Sequence, residues 1–213
     1  MRLVYFSPVP WDSFAQRPHK FVEWFHAKFK GEILWVDPYP TRLPKLADFR
    51  RVRAVVGRGI KLAAKRSTPE WLTILRPRSL PIEPLLGAGA LNRMLWSDVL
   101  HAIDRFIEER GCQLGIGKPS ELVLQVLVRN PSVPSFYDAM DDFPEFYRGL
   151  SRAAMGWREQ EVAARVTRIS VSSTASADRF AAYHSKLTIA LNACAVETLP
   201  PPMRRLKAQG GLF

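Results

Sequence analysis

A doubly wound, mainly parallel α/β sheet with helices on both faces is the fold class this sequence predicts. Three observations predict it. Short apolar runs alternate with amphipathic stretches along almost the whole chain. The runs are continuously apolar, as strands covered on both faces are. One of them, Ser135-Phe136-Tyr137, breaks into three carboxylates at Asp138, Asp141 and Asp142. The carboxyl end of a strand is where open α/β sheets bind ligands.

Residues 2–7 read as the first strand, and 32–37 as the second. Between them lies a loop carrying Trp11, Asp12, Ser13 and Arg17. A helix follows from Pro18 to about Lys30, with Phe21, Trp24, Phe25 and Phe29 on one face and Gly31 at its end. This is a strand–helix–strand unit. Its first loop lacks the GxGxxG pattern, so no nicotinamide or flavin site is expected there.

Residues 42–66 hold nine basic side chains (Arg42, Lys45, Arg50, Arg51, Arg53, Arg58, Lys61, Lys65 and Arg66) against Asp48 alone. Leu46, Phe49, Val52, Val56 and Ile60 recur at helical spacing. Such a stretch is either a solvated helix packed on the sheet or a helix lying on an anionic membrane. Gly57 and Gly59 weaken it as a continuous helix.

Further strands are expected at 71–75, 113–117, 135–139, 168–172 and 187–191. One helix is expected over 91–110, with Gly111 ending it. Another should follow Lys118-Pro119-Ser120, with Ser120 as its cap. A third should start at Pro144 or Ala153 and run to Val166, and a fourth should run from Ser173 to about Tyr183. Lys118 falls at a strand's carboxyl end and is expected to face the same crevice as the acidic cluster. Pro200-Pro201-Pro202 reads as a stiff linker.

Composition narrows the function classes. At 213 residues and 47% hydrophobic, the chain can bury one substantial core. Cys112 and Cys194 have no metal-ligand spacing and point to a reducing compartment without disulfides. The apolar run at 2–7 is too short for a secretory leader and meets Pro8 and Pro10. No run approaches the roughly 18 apolar residues of a membrane span. A net charge of +11 implies an anionic partner: nucleic acid, a phosphorylated substrate or an anionic membrane face. No nucleic-acid motif accompanies the charge, so nucleic acid is not the expected partner. The carboxylates have two readings by themselves. They form an active-site rim, or they cap the next helix and satisfy buried amides.

Three segments together resemble a known family. These are the opening strand with Trp11 and Gln16-Arg17-Pro18, the run Tyr137-Asp138-Ala139-Met140-Asp141-Asp142-Phe143, and the stretch with Glu159 and Glu161 leading into Arg168-Ile169-Ser170-Val171-Ser172-Ser173. With them the chain resembles the N-terminal, Rossmann-like domain of GT-B glycosyltransferases of the bacterial cell-surface polysaccharide and lipopolysaccharide type. Asn192-Ala193-Cys194-Ala195 stands where such enzymes carry an Asn-Gly-Val-Asp-like turn, with alanines replacing Gly and Asp.

The resemblance implies an acceptor-binding domain over 1–198, then a linker and the start of a missing donor-binding domain over 199–213. It implies a nucleotide-sugar donor, held by that other domain, and a lipid-linked or glycan acceptor. The setting it implies is cytoplasmic, at most peripheral on the inner membrane face. Asp138, Asp141 and Asp142 are then the catalytic candidates, orienting or deprotonating an acceptor hydroxyl. Trp11, Asp12, Ser13, Arg17, His19, Lys118 and Tyr137 are the candidates for binding acceptor or phosphate. Neither a metal nor a cofactor is expected. The competing readings are a non-catalytic glycan- or lipid-binding domain and a basic nucleic-acid-binding module.

Overall fold

The computed structural model describes residues 1–43, 68–85, 87–108 and 111–190. Most of the basic 42–66 segment, Cys194, the Asn192–Ala195 turn and the 199–213 linker lie outside them.

The strands are β1 (Arg2–Phe6), β2 (Ile33–Val36), β3 (Leu72–Leu75), β4 (Cys112–Ile116), β5 (Ser135–Ala139), β6 (Arg168–Val171) and β7 (Leu187–Ile189). They form one sheet in the order β3-β2-β1-β4-β5-β6-β7, and every pairing is parallel. Side chains alternate between the faces, as strand geometry requires. Val4, Leu34, Leu114 and Ile116 enter the core on one face, while Leu3, Tyr5, Ile33 and Trp35 enter the core on the other. Both faces are covered, which explains the uninterrupted apolar runs.

Helix α1 (Arg17–Phe29) covers the second face with Val22 and Phe25. Helices α2 (Ala88–Leu95), α3 (Ser97–Glu108), α4 (Glu121–Arg129), α5 (Gly149–Arg165) and α6 (Thr174–Arg179) follow in the chain. Leu100 and Ile103 of α3, Leu122 and Val126 of α4 and Val162 of α5 fill the first face. Ser120 caps α4 as expected, its side chain accepting the Val123 N–H at 3.3 Å.

Three local expectations change. The helix expected over 91–110 breaks at Trp96, which is fully buried and packs on Tyr39 at 5.2 Å between ring centroids. Burying that indole outweighs one residue of helical geometry. The segment after β5 opens with a 3₁₀ turn (Phe143–Phe146) before α5 begins, and α6 gives way to another (Ala181–Lys186). The end of α1 is also arranged differently. Lys30 takes the left-handed conformation (φ 49°), and Gly31 is there for space, since a Cβ would lie 2.1 Å from the Met1 carbonyl oxygen.

Candidate substrate crevice at the carboxyl edge of the sheet

From β1 the chain winds outward through β2 and β3, and in the other direction through β4 to β7. The loops after β1 and β4 therefore part company, and a crevice opens at that reversal. It has a volume of ≈ 270 Å³. Pro8, Val9 and Phe143 give it apolar walls, and Gln16, Lys118 and Asp141 bring polar groups. A neighbouring lobe of ≈ 390 Å³ is lined by Tyr39, Thr41, Arg42 and Pro81. Lys118 and Tyr147 line both lobes. The Tyr147 hydroxyl meets Thr41 Oγ1 at 2.9 Å.

Lys118 reaches this position because Gly117 precedes it. A Cβ on Gly117 would lie 2.7 Å from Pro8 Cδ and 2.9 Å from the Tyr5 hydroxyl. Only glycine lets the loop after β4 pass so close to the loop after β1. Lys118 is half-buried, and among the described residues it has no acidic partner within ion-pair distance.

The three carboxylates separate. Asp138 is 6% exposed and receives two hydrogen bonds from Arg17, from Nη2 at 2.8 Å and from Nε at 3.2 Å. Burial pushes its carboxyl above the ordinary value, Arg17 pulls it back and Asp141 adds a smaller upward push. Asp142 pairs with Arg179 Nη1 at 3.0 Å. Asp141 is exposed, lines the crevice and has no ion-pair partner among the described residues. Of the three, it alone presents a free carboxylate to a ligand.

The other expected residues divide between crevice and interior. Trp11 and His19 are buried side by side, with rings 5.2 Å apart, and both pack on Trp35. His19 Nδ1 accepts the Gln16 N–H at 3.2 Å, and Nε2 lies 3.2 Å from the Trp11 carbonyl oxygen. With Nδ1 accepting, Nε2 carries the proton and donates it, so neither nitrogen is left for a substrate proton. Tyr137 is fully buried and donates to Glu159 at 2.8 Å, which removes its ring as a surface for a sugar. Asp12 accepts from Arg76 Nη2 at 2.8 Å. Ser13 closes a turn on Pro10 through its N–H.

Residues outside the expected catalytic and binding set hold this edge together. Asp37, at the end of β2, accepts from the Trp11 N–H at 2.9 Å, Trp35 Nε1 at 2.8 Å and Arg76 Nε at 3.0 Å. In dinucleotide-binding sheets an acid about here holds a ribose; here its oxygens are taken by the protein. Its place as the last residue of the second apolar run was the available signal. Arg179 grips both oxygens of Glu159 at 2.7 Å, joining α6 to α5. Glu83 is fully buried and lies at the start of α4. It accepts the Glu121 N–H at 3.0 Å and pairs with Arg158 at 3.0 Å. No sequence motif announces these pairs.

No group of three or more His, Cys, Asp or Glu side chains suited to holding a metal ion occurs among the described residues. No helix among them is long and apolar enough to cross a membrane. No family model matches this chain, and no curated protein matches it.

Proposed function

We propose that this chain is the acceptor-binding half of a glycosyltransferase. The reaction would move a sugar from a nucleotide-sugar donor to a lipid-linked, lipopolysaccharide or polysaccharide acceptor. One observation carries the reading: a carboxylate, Asp141, and a cation, Lys118, neither with an ion-pair partner among the described residues, line the same crevice at the point where the sheet order reverses. Transfer to a hydroxyl needs a group that orients or deprotonates it, and Asp141 is the one available. A sugar linked to lipid through phosphate needs a cation, and Lys118 supplies a point charge at the junction of the two lobes. Arg17 and Asp138 act as positioning residues, holding the start of α1 against the end of β5. The donor would be held by a second domain, and the setting would be cytoplasmic, at the membrane face.

The second reading, a glycan- or lipid-binding domain without chemistry, is favoured by one fact. Two of the three carboxylates are locked in ion pairs.

The test is calorimetric titration of the chain with a farnesyl-diphosphate-linked monosaccharide. Saturable binding is expected, with Lys118→Ala about tenfold weaker, as loss of one hydrogen-bonded charge contact gives. Binding that is absent, or equal in wild type and Lys118→Ala, overturns the assignment of this crevice. If Asp141→Asn leaves both affinity and turnover unchanged in an active assembly containing the chain, the binding-domain reading replaces the enzymatic one.

A further inference from the structure

A second groove lies on the helical face and shares no lining residue with the crevice. It runs between α2, α4 and α5 with a volume of ≈ 340 Å³. Leu124, Val128 and Trp157 give it apolar lining, and Trp157 has 56% of its surface exposed. An indole left this open forgoes much of the stabilisation that burying a large apolar side chain contributes. The rim is not apolar. Arg93, Glu121, Gln125, Arg129, Glu161 and Arg165 line the same groove as the indole.

These rim groups are largely held in place. Gln125 Nε2 donates to the Gly89 carbonyl at 3.3 Å and to Glu121 at 3.4 Å. Arg129 is tied to Asp104, and Arg165 to Glu161. Glu121 lies 3.8 Å from Arg158. Arg93 is exposed and has no acidic partner among the described residues. Among the described residues, one positive charge on this rim therefore has no acidic partner.

We propose that this groove binds an acidic oligosaccharide, a uronate-containing chain. The C–H face of a pyranose packs on a flat exposed indole. Planar guanidinium, amide and carboxylate groups around it match pairs of neighbouring hydroxyls, which both donate and accept. Arg93 takes the uronate carboxylate as a forked ion pair. The volume falls within the range of small-ligand sites. Glu121 and Glu161 accept from the sugar hydroxyls. The inference is independent of the glycosyltransferase reading, because it uses none of that crevice's residues.

Tetragalacturonate is the probe, titrated into the full chain with calorimetric readout, and neutral maltotetraose is the comparison. Saturable binding of tetragalacturonate is expected, with Trp157→Ala weakening it by about tenfold or more. Arg93→Gln is expected to erase the preference over maltotetraose. Trp24→Ala removes another exposed indole, on α1, and is expected to bind as wild type does. Circular dichroism checks that each variant stays folded; Trp157 and Arg93 are surface residues. No saturable binding of tetragalacturonate overturns the proposal, as does wild-type affinity in Trp157→Ala or an equal loss in Trp24→Ala.

Discussion

Arg17 and Asp138, 121 residues apart in the chain, are joined by a forked ion pair that ties the first turn of α1 to the end of β5. Arg17 also donates to the Ala190 carbonyl at 3.3 Å, bringing the end of β7 into the same clamp. Asp138 is almost fully buried, so its charge depends on this partner. Removing one member of such a pair leaves the other charge stranded. Arg17→Met is therefore expected to destabilise the fold by about 3 kcal/mol, within the range measured for broken buried pairs. Urea denaturation checks this. Arg17→Met combined with Asp138→Asn should recover part of the loss, because the stranded charge is gone.

Glu83 should make stability depend on pH. Burial raises its carboxyl above the ordinary value, while Arg158, the Tyr39 hydroxyl and the Glu121 N–H pull it back only in part, and the Glu121 carboxylate opposes them. The folded chain thus holds this proton more tightly than the unfolded chain does. The resulting stability is fully present below the unfolded value and is lost as pH rises through the raised folded value. Against a Glu83→Gln variant, the wild type should lose ground as pH climbs from the ordinary carboxylate range through the raised folded value. Melting temperatures of the two proteins across that window report the gap. A constant or widening advantage for the wild type would contradict the assignment.

Gly117→Ala should be costly for a steric reason. The new methyl would press on Pro8 Cδ, on the hydroxyl of the fully buried Tyr5 and on the Phe6 carbonyl oxygen. A loss of about 1–3 kcal/mol is expected, the usual penalty for overfilling a packed site. Because the loops after β1 and β4 would move apart, affinity at the Lys118 crevice should fall in the same variant. Gly87 is the control: a Cβ there would meet nothing within 4 Å, so Gly87→Ala should suffer only from its φ of 80°. Thermal melts and the farnesyl-linked titration read both effects.

Much of the architecture was legible because burial on both sheet faces writes itself into uninterrupted apolar runs such as Leu3 to Phe6. Boundaries were less legible. Trp96 looked like one more residue of an amphipathic helix, yet its contact with Tyr39 breaks the helix there. The site was legible only in outline. Lys118 and Asp141 lie at strand ends, so topology alone brings them to the crevice. The fate of Asp138, Tyr137 and His19 depended on partners distant in the chain or on rings stacked in the interior. Short-range patterns do not carry that information. A carboxylate cluster in sequence became one free group and two clamped ones, because Arg17 and Arg179 arrive from opposite ends of the chain.

Asp37 leaves a mark on how any ligand would bind. By accepting the Trp11 N–H it fastens the middle of the loop after β1, and Arg76 adds a strap to both Asp37 and Asp12. One wall of the crevice is thus preorganised when the chain folds. A ligand entering there does not have to freeze that loop, so the ordering entropy that usually erodes affinity is small. Loosening the fastening with Asp37→Ala would then act at a distance: the ligand contacts would be unchanged, but part of their free energy would go into restraining a loop that had become mobile.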